Sequence, residues 1–156
     1  MWRSRRTTGS KCGVVIGCAF IACLTEVGRT EDTGADIEIV SRGIDNEYHV
    51  VIREADIKKT PGWKADAENP PVSARKSIAL ATRLRKSLLP DSKKYKWRLV
   101  SAELNPYWLP ERWYWVVEFE GNRTDVSNET GLAPQLRVVI LMDGTVLKAV
   151  LKPLSD

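Results

Sequence analysis

The sequence predicts an α+β fold: one amphipathic helix packed on an antiparallel meander sheet of about four strands, preceded by a β-hairpin. Three observations predict it. Residues 73–89 carry the one sustained helical periodicity. Four strand-like runs follow, at 96–104, 113–120, 136–142 and 145–151. Two alternating, β-branched runs, 36–41 and 47–57, come before it.

The chain opens on Met1–Lys11, with Arg3, Arg5, Arg6 and Lys11 and no acid. The uncharged stretch CGVVIGCAFIACL, residues 12–24, comes next. A basic region followed by a short apolar core is the pattern of a secretory signal. The core is shorter than the roughly 20 apolar residues of a membrane-spanning helix. It holds all three cysteines, Cys12, Cys18 and Cys23, at gaps wider than paired metal ligands use. Phe20-Ile21-Ala22-Cys23 resembles a bacterial lipobox, which makes Cys23 the candidate lipidation site, although Phe20 departs from the aliphatic residue such a box carries. Val15-Ile16-Gly17-Cys18 fits the box better but leaves too short an apolar core before it. A lipoprotein, a cleaved secreted protein and an uncleaved anchor all remain open. In each case the chain is exported, to a bacterial periplasm or envelope or beyond, and a lipidated Cys23 or an uncleaved segment would associate it with the membrane. One acyl chain by itself anchors weakly.

Residues 24–35 are polar and aperiodic and read as a tether. Residues 36–57 form the hairpin, with Gly43-Ile44-Asp45-Asn46 as its turn. Residues 58–72 contain three prolines and a glycine and read as a linker or an ordered loop. Residues 73–156 form the α+β domain. Ser73 is a good N-cap. On a helical wheel Ala74, Ser77, Ile78, Leu80, Ala81, Leu84 and Leu88 share one side, Arg75, Lys76, Arg83 and Lys86 lie opposite, and Pro90 stops the helix. Asp143-Gly144 is the strongest hairpin turn in the chain. The runs at 113–120 and 136–142 are apolar on both faces in places, as central strands are.

The helix SARKSIALA, the strands WRLVSAEL and WYWVVEFE and the closing hairpin LRVVILMDGTVL resemble the PepSY-like domains of bacterial envelope and secreted proteins, over about residues 73–151. Cystatin-like folds give similar patterns. The chain departs from the resemblance in its long connections at 105–112 and 121–135 and in its N-terminal hairpin. The resemblance implies a non-catalytic inhibitory, chaperone-like or accessory domain, and it carries no functional residue over.

Charge excludes one class of partner. Residues 1–23 hold four bases and no acids, so the remaining chain has 20 of each and is neutral. The basic balance thus belongs to the signal, which removes the main argument for nucleic-acid binding. Within the neutral part, residues 24–72 carry net −5, 75–98 net +8 and 99–156 net −3. The basic stretch reads as the solvated face of the helix, with two alternatives: an anionic surface held through Lys86, Lys93 and Lys94, or the acidic 24–72 segment folded against it.

Chemistry-bearing residues are few. His49 is the only histidine, and no nucleophile motif lies near it. Glu118 and Glu120 share one strand face. A small hydrolase or ligand-binding domain would have to use His49 and acidic residues of this kind. No phosphate loop, dinucleotide fingerprint or calcium loop is present, and no cofactor is expected. The aromatic residues are the most unusual feature. Trp97, Trp108, Trp113 and Trp115 lie close together with Tyr95, Tyr107 and Tyr114. Trp113, Trp115, Val117 and Phe119 share a strand face that is expected to pack under the helix. In the loop NPYWLPER, Tyr107, Trp108 and Pro110 are the candidate contact surface for a protein or peptide partner, because Trp and Tyr make good interface anchors. Addition of a partner strand at a free sheet edge is a second route to the same function.

Overall fold

The computed structural model describes residues 36–125 and 133–154. The expected signal with its three cysteines, the candidate lipidation site Cys23 and the expected tether fall outside the described residues.

Strands β1 (Ile37–Arg42) and β2 (Asn46–Ile52) pair antiparallel, from Ile37 opposite Ile52 to Arg42 opposite Glu47. The turn closes with the Gly43 N–H donating to the Asn46 carbonyl at 2.7 Å. Glycine is required there by close approach, since a Cβ would stand 2.4 Å from the Tyr48 ring. Period-two alternation turns Tyr48, Val50 and Ile52 inward and Glu47, His49 and Val51 outward. The strand does not continue to residue 57 as its β-branched start predicts. Glu54–Lys59 form a short helix, α1, with Glu54 and Asp56 in its first turn and Lys58 and Lys59 in its last. That charge order complements the helix dipole, and the single buried residue Ile57 fixes the turn to the core.

Helix α2 spans Ala74–Leu88. The Ser73 hydroxyl accepts from the Lys76 N–H at 3.3 Å, satisfying one of the unpaired donors of the first turn. Strands β3 (Tyr95–Pro106), β4 (Trp113–Arg123) and β5 (Gln135–Leu141) follow as an antiparallel sheet in that order. A bulge between Leu99 and Ser101 interrupts the long edge strand β3, a device that discourages pairing with other chains.

The fold class departs from the expectation at the last run. After the Asp143-Gly144 turn, where Gly144 has φ +92°, the chain pairs only briefly with β5. Leu141 N–H donates to Thr145 O at 2.9 Å, and Leu147 N–H to Val139 O at 3.0 Å. It then leaves that sheet. Strand β6 (Val150–Pro153) pairs with β2, His49 opposite Val150 and Glu47 opposite Lys152. The α+β expectation of one helix on a single four-stranded meander is therefore corrected. Among the described residues the protein is sheet-dominated, with two three-stranded antiparallel sheets, β1-β2-β6 and β3-β4-β5, and only α2 as a helix of several turns.

The crossing has a packing cause. Strand β5 is buried on both faces. Leu136, Val138 and Ile140 join Trp115, Val117, Phe119 and Ala81 in a cluster under α2. Val139 and Leu141 join Val50, Ile52, Ile57, Tyr107 and Tyr114 in a second cluster on the other face. One helix covers one face of a sheet, so the other must be covered by something else. The hairpin β1-β2 supplies that cover, and β6 widens it. At one corner the Arg137 N–H donates to Ser41 Oγ of β1 at 3.2 Å.

Candidate functional site

The β3–β4 connection is built outward from the core. Tyr107 is buried, and its N–H donates to Arg112 O at 2.7 Å, closing the loop. Leu109 packs against the hairpin-side cluster. Trp108, between them, turns outward and is 53% exposed, its ring 5.2 Å from that of Tyr107 at 34°. Pro110 is exposed. Glu111 holds the left-handed backbone that closes the turn, φ 57°. The three residues expected to form a contact surface thus divide. Tyr107 is an anchor in the core, and Trp108 and Pro110 are presented to solvent.

The tip is braced by the segment after α1, a contact the sequence reading missed. The Arg112 guanidinium donates to Thr60 O, Trp63 N–H donates to Glu111 O at 2.9 Å, and Trp113 Nε1 donates to Trp63 O at 2.9 Å. The Trp63 and Trp113 rings meet edge to face at 5.4 Å. Further along, Val72 is buried and its carbonyl accepts from Trp115 Nε1 at 2.8 Å. The proline-containing segment 58–72 is thus tied to β4 at Trp63 and at Val72. Its available signal was a large apolar residue, Trp63, beside Pro61 and Gly62 in an otherwise polar stretch.

His49 lies on the outward face of the β1-β2-β6 sheet. Its Nδ1 is 2.7 Å from Glu38 Oε1 and its Nε2 is 3.2 Å from Glu47 Oε2. The side chain is 12% exposed. A neutral ring donates to one of these carboxylates and an imidazolium to both. The carboxylates sit on opposite ring nitrogens, so they converge on no common point. Two surface grooves among the described residues, one lined by Asp56, Asp143 and Lys148 and one by Leu80, Arg83 and Leu84, do not include His49. The nearest serine along the register, Ser41, faces the opposite side of the sheet and is buried.

Glu38 is held below the usual carboxylate range, first by the hydrogen bond to His49 and then by the Lys152 charge 3.8 Å away, against the opposing effect of burial. A carboxylate with a folded pKa below its unfolded value of about 4.3 stabilises the fold above that pH and stops doing so as pH falls through the folded value. Glu38→Gln is therefore expected to flatten the loss of stability on acidification below about pH 4.3. Urea midpoints of parent and variant across that range check it, and parallel pH curves would refute it.

Glu118 and Glu120 each face an arginine, not each other. Arg137 Nε is 3.0 Å from Glu118 and Arg98 Nη2 is 3.0 Å from Glu120. Lys86, Lys93 and Lys94 are all exposed. Lys86 is on the outer face of α2. Lys93 and Lys94 share the turn before β3, where Thr124 bonds both of their carbonyls. The Lys94 ammonium stands 5.8 Å from the Tyr95 ring. Among the described residues no group of three or more His, Cys, Asp or Glu side chains could hold a metal ion, and no helix is long and apolar enough to cross a membrane.

Compared with family models, with curated proteins and with solved structures, the chain matches none. The functional reading therefore stands on the geometry above.

Proposed function

We propose that this chain is a non-enzymatic cell-envelope protein that binds a protein or peptide partner through the tip of the β3–β4 hairpin. One observation carries the reading: Trp108 is 53% exposed on a tip whose backbone is fixed by Tyr107, Arg112 and the Trp63 segment. A large aromatic held rigid before binding loses little entropy on contact, and tryptophan is the residue most enriched at interface hot spots. The setting of His49 supports the non-enzymatic part. It lies on an open sheet face, and its two carboxylates diverge.

A photo-crosslinking amino acid placed at position 108 of the full-length chain, in living bacterial cells, tests this. The expected result is one discrete adduct in the envelope fraction, absent when the crosslinker replaces Lys93 on another surface. Excess parent chain competes the adduct away, and a Trp108→Ala chain does not. Trp108→Ala itself is expected to change folding stability by less than about 1 kcal/mol, as for an exposed position. No adduct, or equal adducts at 108 and 93, refutes the tip as the contact.

A further inference from the structure

We infer that the groove between α2 and the segment Val146–Lys148 binds an extended peptide as an added β-strand, one whose side chains toward α2 pair an apolar residue with an acid two positions away. None of the groove's lining belongs to the Trp108 tip, and the inference does not rest on the tip reading. The groove encloses about 380 Å³, and its floor is Leu80, Leu84, Val146 and Leu147. Its charged lining is Arg83 and Lys148, with no acid.

The backbone gives the groove its chemistry. Along an extended strand, a residue's N–H and C=O point to one edge and its neighbours' to the other. Thr145 O and Leu147 N–H are bonded to β5. The N–H and C=O of Val146 therefore point away from β5, and Lys148, whose N–H and C=O bond no other backbone group among the described residues, lines the same groove. Among the described residues none of these four groups has a hydrogen-bond partner. A short unpaired edge beside an apolar helix flank is the arrangement that accepts a strand, in which the main chain supplies the bonds and alternate side chains supply selectivity.

Register then sets the sequence of the occupant. Val146 belongs to the cluster under α2, and Lys148, two residues on, lines the same groove beside Arg83. A strand laid along this edge meets Val146 with one side chain and Lys148 with the side chain two positions away. The first lies over Leu80 and Leu84 and is apolar. The second lies between Lys148 and Arg83 and is acidic. Both cations are exposed, and among the described residues neither has a carboxylate within ion-pair distance. Lys76 stands at the other end, beside the turn, with its ammonium about 3.8 Å from the position a Gly144 Cβ would take.

The probe is a capped heptapeptide of threonines carrying one valine and, two positions on, one glutamate, titrated into the labelled chain at low salt. The expected result is saturable amide shifts at Val146–Lys148 and along Leu80–Leu84, with slowed hydrogen exchange at the Val146 and Lys148 amides. A peptide with lysine in place of glutamate, or with alternate backbone nitrogens methylated, should lose that binding. Reversing each cation, in Arg83→Glu and in Lys148→Glu, should weaken binding roughly fivefold per charge, the value of an exposed ion pair. Trp108→Ala should leave it unchanged. Absence of saturable shifts, shifts centred elsewhere, or equal binding of the lysine peptide overturns the inference. So does protection of these amides that grows with protein concentration without peptide, because the edge would then belong to a second copy of the chain. The peptide variants keep the test independent of any change to the protein.

Discussion

Trp115→Ala is expected to cost about 3–5 kcal/mol of folding stability, the range for deleting a large buried aromatic. Trp115 is 7% exposed in the cluster under α2, among Val117, Phe119, Leu136 and Ile140. Its ring fills the space between β4 and the backbone of the segment that leads into α2. Its indole N–H also donates to the Val72 carbonyl, at 2.8 Å. Truncation opens a cavity and leaves that acceptor without its donor in a buried setting. Trp115→Phe separates the two effects. It keeps most of the ring and loses the bond, and the expected cost is about 1–3 kcal/mol, the penalty of an unsatisfied buried group. Urea unfolding with a constant m-value measures both, since a changed m would mean the denatured state had moved instead. If Trp115→Phe costs as much as Trp115→Ala, the hydrogen bond rather than the ring volume dominates. If neither variant costs 1 kcal/mol, the ring does not hold the 58–72 segment against the sheet.

Those two tryptophan contacts show what was legible and what was not. The face carrying Trp115, Val117 and Phe119 follows from period-two alternation alone, and so does its place under an apolar helix flank. Ser73 and Asp143-Gly144 mark a helix start and a turn by local chemistry, and both lie where that chemistry puts them. The misses are all non-local. Helix α1 exists because Ile57 is buried, and nothing in Glu54–Lys59 has the length to show a helical period. The run 145–151 reads as one strand because its residues suit a strand throughout. Its split between β5 and β2 depends on a partner some hundred positions upstream, which no local pattern encodes. At the candidate tip, Trp108 and Pro110 were legible as loop residues, whereas the brace from Thr60 and Trp63 was not, because its bonds run through backbone carbonyls that carry no sequence signature. One signal was present and pointed further than the meander. Residues 136–142 are apolar on both faces, and a single helix covers only one. The uncovered face required a second layer, and the only unassigned strands were those of the 36–57 hairpin.

That second layer gives the sharpest test of the architecture. Val139→Asp is expected to remove about 4 kcal/mol or more, most of the stability of a domain this size. Val139 is 0% exposed and sits between the two sheets, with Val50, Ile52 and Leu141 in its cluster. Its neighbours in that cluster are apolar side chains, so an aspartate there would be buried among hydrocarbon, or protonated at a comparable cost. Val51→Asp is the matched control. Val51 lies on β2 but faces outward and is 38% exposed, so its carboxylate stays in water and the expected change is below about 1 kcal/mol. With one helix on one sheet, the face of β5 away from α2 would be open to solvent, and Val139→Asp would be as mild as Val51→Asp. Near-ultraviolet circular dichroism and urea midpoints of the two variants therefore decide between one layer of strands and two. Loss of the tertiary signal in Val139→Asp alone supports packing of β1-β2-β6 on β3-β4-β5. A folded Val139→Asp with the parent's midpoint would mean that the hairpin does not cover that face.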